Sequence, residues 1–283
     1  MTAVTLENRG GWVRASRPPH PALRPFLASY EGYLESGVVP SRMRTLPTRH
    51  TVVIISLGPP LRLAVPDPGV ATTDYDSFIA GMHDGHGMYT HPGGQRGIQL
   101  DITPLGSYSL FGVPMGNLAN QAVELGTLLG PSADAFVARL ADTPDWADRF
   151  DLLDDLLLSR LEIGPEPAPE VTRAWRLLYR SGGRMNVGEL ADEVGWSRKH
   201  LNNRFRAQAG LSPKVMARVF RFTRAVDLMT HDLPSWVDIA LACGYYDQAH
   251  FNREFKAMSG CTPTELHAER NADLTVIPAP APS

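Results

Sequence analysis

Lysine is missing from the first 169 residues of this 283-residue chain, and the whole sequence holds only two cysteines, Cys243 and Cys261. Both cysteines fall where the local pattern reads as core and turn, so reduced structural thiols are expected rather than a redox pair. No window reaches eighteen uninterrupted apolar residues, and residues 1–7 lack a basic start followed by an apolar run. A membrane-spanning helix and a secretory leader are therefore not expected, and the cytoplasm is the expected location. The sequence also lacks a phosphate-cradling glycine loop and a Ser or Cys nucleophile elbow, which leaves no completed enzyme site. A last absence points the other way. Residues 197–226 contain no acid at all, yet they carry Arg198, Lys199, Arg204, Arg206, Lys214, Arg218, Arg221 and Arg224.

That basic stretch belongs to a polarised chain. Residues 1–169 hold 12 Arg against 18 acids, a charge of −6, whereas residues 170–283 hold 15 basic against 12 acidic residues, a charge of +3. The overall −3 hides a C-terminal part suited to meet phosphate. The length suggests two domains, each able to bury a core.

The C-terminal part says one thing twice. Leu190/Ile239, Ala191/Ala240 and Gly195/Gly244 match at an offset of 49, and after one extra residue His200/His250, Leu201/Phe251, Asn202/Asn252, Phe205/Phe255, Arg206/Lys256, Gly210/Gly260 and Pro213/Pro263 match at 50. Such agreement marks a duplicated supersecondary unit. In each copy a cap (Asn186 with Glu189, Ser235 with Asp238) opens a short helix that ends at Gly195 or Gly244. Ser197 and Asp247 then cap a second helix, whose Leu201/Phe205 or Phe251/Phe255 pair buries one face. This is the grammar of a helix-turn-helix. The face left free presents Arg198, Lys199, Asn202, Asn203 and Arg206 in the first copy, and Gln248, His250, Asn252, Arg253 and Lys256 in the second. Guanidinium, ammonium and amide groups of this kind pair with base edges and phosphates. A merely solvated face is the bland alternative. The acid-free run and the mid-helix asparagines weigh against it.

These residues carry a resemblance to the AraC/XylS family of bacterial transcription regulators, whose second-half signature is similar to Ile239-Ala240, Gly244-Tyr245, Phe251, Phe255-Lys256, Gly260 and Thr262-Pro263 here. The resemblance covers residues 171–270. One departure is visible: Leu266 and His267 stand where the family commonly has an aromatic and an arginine. The resemblance implies double-stranded promoter DNA and RNA polymerase as partners, with a small-molecule effector and a homodimer as further candidates. It also implies that Lys199, Asn202, Asn203, Gln248, His250, Asn252 and Arg253 read bases, while Arg206 and Lys256 hold phosphate.

Upstream, the Phe26, Leu27, Tyr30, Tyr33, Leu34 spacing predicts one short amphipathic helix. Strands are predicted at residues 51–58, 61–65, 78–81, 97–102 and 108–113. Helices follow over residues 114–162, where Trp146, Phe150, Leu153, Leu157 and Leu161 form a broad stripe that packs on its own sheet or on a second subunit. His50, His83, His86 and His91 decorate the β region, and the His83-x-x-His86 pair near His91 imitates the ligands of a cupin-like metal site. No carboxylate follows at ligand spacing, so a mobile glycine-rich loop is the simpler account and no cofactor is expected.

The expected architecture is α+β. A small, cupin-like β-sheet or barrel with a helical segment (residues 1–162, for sensing or dimerisation) leads through a Pro-rich linker (163–170) into an all-α DNA-binding domain of two helix-turn-helix units joined by a long helix (171–270). A disordered tail (271–283) ends the chain. Such a linker transmits no shape change by itself, so an effector must act through docking between the domains or through the Leu-rich helix. A metal-dependent enzyme with an accessory DNA-binding module is the alternative. An architectural DNA binder leaves the N-terminal domain unexplained.

Overall fold

The computed structural model describes residues 4–9, 11–35, 37, 41–64, 73–229 and 235–272. Its first half is β-rich: β1 (Thr5–Arg9), β2 (Trp12–Ser16), β3 (Leu27–Glu35), β4 (Ser41–Thr45), β5 (Thr51–Ser56), β6 (Leu61–Ala64), β7 (Thr73–Tyr75), β8 (Phe78–Ala80), β9 (Gly87–His91), β10 (Arg96–Ile102) and β11 (Ala122–Glu124). They form two antiparallel sheets, one ordered β1-β2-β3-β10-β5-β8-β11 and one ordered β4-β9-β6-β7. The strand, turn, strand expected around Pro59-Pro60 is present, but β5 and β6 go to different sheets.

Two expectations fail here for physical reasons. Residues 27–35 form a strand, not a helix, because β3 lies between β2 and β10 and satisfies its backbone on both edges. The apolar spacing then serves two sheet faces: Leu27, Tyr30 and Tyr33 are buried, while Trp146 packs flat against Gly32, leaving no room there for a Cβ. Residues 108–113 do not close the β series either. Residues 108–111 belong to α1 (Pro104–Phe111), which starts with Pro104 behind the cap Thr103, whose side chain accepts from Gly106 N, and stops at Gly112. Local capping outweighs the strand-like composition of that segment.

The helices that follow are α2 (Leu125–Leu129), α3 (Ser132–Asp142) and α4 (Trp146–Ile163). The α4 stripe is taken up within the chain. Phe150, Leu153 and Leu157 are buried in one cluster with Leu27, Tyr30, Leu100 and Ile102, and Trp146, Leu152, Leu158 and Leu161 pack around it. Tyr30 and Phe150 stack with ring centroids 4.6 Å apart. A polar bolt reinforces this join: Arg17 binds Asp151 at 2.6 Å and Asp154 at 2.8 Å, and its Nε donates to the Tyr30 hydroxyl at 3.0 Å. Burial, foremost, pushes the Tyr30 hydroxyl up to about 12.

The last third is all helix: α5 (Pro169–Arg180), α6 (Val187–Val194), α7 (Arg198–Ala209), α8 (Pro213–Asp227), α9 (Trp236–Ala242), α10 (Gln248–Ser259) and α11 (Pro263–Ala272). Their core gathers Leu190, Leu201, Phe205, Phe220, Phe222, Ile239, Phe251 and Phe255. The long helix expected to join the two units is α8, whose 15 residues span about 22 Å at 1.5 Å per residue. Between α4 and α5, Gly164 lies against the Ser109 carbonyl, and Ala168 N donates to the buried Gln208 at 3.0 Å. From residue 273 onward the expected disordered tail lies outside the described residues. No described helix is long and apolar enough to cross a membrane.

Candidate nucleic-acid interface

Each half of the repeat builds its second helix in the same way. In the first, Asn186 caps α6 with a full box: its side chain accepts from Glu189 N at 3.0 Å, and the Glu189 carboxylate accepts from Asn186 N at 3.1 Å. The helix ends at Gly195 in the left-handed region, and Ser197 then caps α7 by accepting from His200 N at 3.2 Å. In the second, Ser235 accepts from Asp238 N at 3.2 Å to cap α9, Gly244 (φ +79°) turns the chain, and Asp247 caps α10 by accepting from His250 N at 2.6 Å. Leu201 and Phe205 in α7, and Phe251 and Phe255 in α10, are 0% exposed and fix which face of each helix turns outward.

That outward face carries the residues singled out from the sequence. Arg198, Lys199, Asn203 and Arg206 on α7 are exposed and Asn202 is half-buried; Asn252, Arg253 and Lys256 on α10 are exposed, with Gln248 and His250 half-buried. Arg206 departs from the rest. Its main chain and stem sit beside Gly116, in the 3-10 turn Met115–Asn117 of the β-rich part. Two arginines of the acid-free run are also less free than they look, because an acid from outside the run reaches them. Glu254 of α10 binds Arg218 at 3.2 Å and Arg221 at 3.0 Å.

The β-rich part grips this domain at several points that the sequence did not disclose. Arg44 of β4 donates to the Ser259 carbonyl at 2.8 Å, at the C-terminal end of α10, and pairs with Glu269 of α11 at 3.4 Å. Arg49 pairs with Asp227 at the end of α8 at 2.6 Å. Met82 and Leu105 are buried in the same apolar cluster as Phe205 and Phe251. A cation beside the last carbonyls of a helix opposes the negative end of its dipole, so Arg44 both docks α10 and caps it.

The histidine-bearing loop is part of this seam. His86 lies against Gly260, and burial, then Arg44, hold its pKa below the ordinary value. His83 Nδ1 is 2.5 Å from the Gly81 carbonyl, and burial pushes the pKa of His83 and of His50 down. The His91 ring is buried elsewhere, 3.6 Å from the Glu35 carboxylate. Among the described residues no three His, Cys, Asp or Glu side chains gather as a metal site would require. Cys243 and Cys261 are free and buried, and burial, foremost, pushes the Cys243 thiol up to about 11.

Residues 190–269 match a family model described as a helix-turn-helix domain. The C-terminal part of the chain is similar to AraC-type transcription regulators. That part is 31% identical over 85 residues to the HTH-type transcriptional activator RhaS of Escherichia fergusonii, a match covering 30% of this chain and 31% of that one. RhaS of Escherichia coli O9:H4 matches at 29% over 112 residues, 34% of this chain and 40% of its own. This chain thus spans well under half the length of these relatives. Among solved structures, ToxT from Vibrio cholerae is similar over 84% of this chain and 97% of its own, at 13% identity and a TM-score of 0.46. The DNA-binding domain of AdpA, solved with a target DNA, is similar over 37% of this chain and 96% of its own, at 21% identity and a TM-score of 0.35.

Proposed function

We propose that this chain is a sequence-specific DNA-binding transcription regulator of the AraC type. In this reading α7 and α10 enter successive major grooves on one face of promoter DNA, and residues 1–162 modulate them in response to a small molecule or a partner. The observation that carries it is the repeated construction just described, with two capped helices each burying an aromatic or leucine pair and each turning amides and cations outward. Transcriptional activation is the sense in which this chain would act by analogy with the RhaS proteins. RNA polymerase and a second copy of the chain are the partners the family implies, and no catalytic group is assigned.

Base readers and phosphate anchors separate by experiment. On a duplex selected from random sequence with the full chain, Asn202→Ala and Arg253→Ala should each cost about 1–3 kcal/mol and relax preference at one position, whereas Lys256→Ala should weaken all sequences alike and flatten the salt slope by about one unit. Equal losses for Arg253→Ala on selected and random DNA remove it from the readers. A footprint confined to roughly one half-site of five base pairs would overturn the two-groove reading, since recognition helices one turn apart are separated by about 34 Å.

The modulating role rests on the docked seam. Removing its two ion-paired bolts, with Arg44→Ala and Arg49→Ala together, should change the affinity of the full chain for the selected duplex at least about threefold, the scale of a small coupling energy. Arg62→Ala, which breaks an exposed pair with Asp74 on the same part of the chain, should change nothing beyond error. If both variants bind like the wild type, the seam does not gate DNA binding.

A further inference from the structure

Glu254 is the sole acid in α10, a helix whose outward face is otherwise suited to a polyanion. Its side chain is 11% exposed and turned toward α8. There its two oxygens accept from Arg221 Nη2 at 3.0 and 3.3 Å and from Arg218 Nε at 3.2 Å. Arg221 does more than neutralise it: its other terminal nitrogen, Nη1, donates to the Gly183 carbonyl at 3.0 Å, in the turn that leads into the first helix-turn-helix unit. The Arg221 guanidinium also lies 5.4 Å over the Tyr245 ring, immediately before α10. One planar, directional group thus joins the entry of the first unit, the connecting helix and the recognition helix of the second.

We propose that Glu254 is a positioning residue which, through Arg221, locks α10 against the first unit and so sets the spacing at which the two units read DNA. The inference rests on the DNA-binding reading above. It requires no contact between Glu254 and DNA. With Nη2 on the carboxylate and Nη1 on the Gly183 carbonyl, the Arg221 guanidinium is held at two points, which fixes orientation as well as distance, as apolar packing around Phe251 and Phe255 does not. The same contact keeps Arg218 and Arg221 from phosphate, so part of the positive charge of α8 is withheld from sequence-independent binding. His250 stands one turn before Glu254 on the same helix, with its Nε2 3.9 Å from the carboxylate, so the lock reaches a residue of the outward face.

The test uses the full chain and a duplex that the wild type selects from random sequence, together with versions carrying one base pair more or less between the two contacted segments and a random duplex. With Glu254→Gln, affinity for the selected duplex should fall about tenfold, comparable to losing one good base contact. The penalty for altered spacing should shrink, and the salt slope should steepen by about one to two units as the two arginines reach phosphate. A double variant, Glu254→Gln with Arg221→Met, removes the unpaired buried charge and should recover thermal stability without recovering the spacing penalty. It also keeps the test open if the single variant folds poorly. A folded Glu254→Gln with wild-type spacing penalty and salt slope overturns the proposal, as does a double variant that regains stability and spacing penalty together. If the wild type selects no duplex, the DNA-binding reading itself falls, and this inference with it.

Discussion

Leu153→Asp should destabilise the chain by about 4 kcal/mol or more, the range reached when a charge is placed unpaired in a packed core. Leu153 is 1% exposed and shares its cluster with Tyr30, Ile102, Phe150 and Leu157, where no cation is available to pair with a new carboxylate. Arg17, which lies 5.6 Å over the Phe150 ring, is already committed to Asp151 and Asp154. Ile163→Asp at the end of the same helix should stay within about 0.5 kcal/mol, because Ile163 is 79% exposed. Urea unfolding of the two variants side by side checks this. Equal, small effects would mean that the α4 stripe is not core and serves another surface. The comparison also bears on subunit pairing: the leucines most easily read as a dimer seam are occupied, so a pairing surface on α4 must use the residues around them.

Gly183→Ala is the second large effect expected. Gly183 adopts φ +76°, and a Cβ there would stand 2.1 Å from the Ala217 carbonyl oxygen of α8. The left-handed conformation alone costs an alanine about 1–2 kcal/mol, and the clash adds to it because a backbone carbonyl inside a helix cannot move aside. A loss of about 3 kcal/mol is expected, with the α5–α6 turn pushed off α8 and the Arg221 contact to the Gly183 carbonyl disturbed. DNA binding should fail in parallel, since the first unit hangs from that turn. Thermal melting with a binding assay on the same preparation decides it: a variant as stable as the wild type would show that the turn relaxes without strain.

The DNA-binding part was legible in the sequence because its determinants are local. Asn186, Ser197, Ser235 and Asp247 cap helices within three residues of themselves, and the 49/50 offset repeats the whole pattern. The β-rich part was harder to read because its determinants are not local. Whether residues 27–35 become strand or helix depends on β10, some seventy residues further on, which covers one edge of the segment. The segment 104–111 misled in the opposite sense, since its caps, Thr103 and Gly112, were weaker cues than its aliphatic and aromatic content. At the interface, the outward residues followed from helical periodicity. Glu254 and Arg44 did not, because each acts through a partner on a distant element: Arg218 and Arg221 for one, the Ser259 carbonyl for the other. An acid in the middle of an otherwise basic recognition helix was the one cue available, and it pointed to Glu254.

The seam holds both recognition helices by the same end. Gly116 and its turn lie beside Arg206, near the end of α7, while Arg44 and His86 sit at the last residues of α10. Their opposite ends begin at the caps Ser197 and Asp247. Each helix is a rod of 12 residues, about 18 Å long, gripped at its heel. By that length, a tilt of about 10° at the heel carries the toe about 3 Å, close to the rise of one base pair. If the seam gates DNA binding as proposed, a modest tilt of both units as one body would be geared up into a whole step along the groove, and the two toes would move in or out of phase with the DNA without either reading surface being touched.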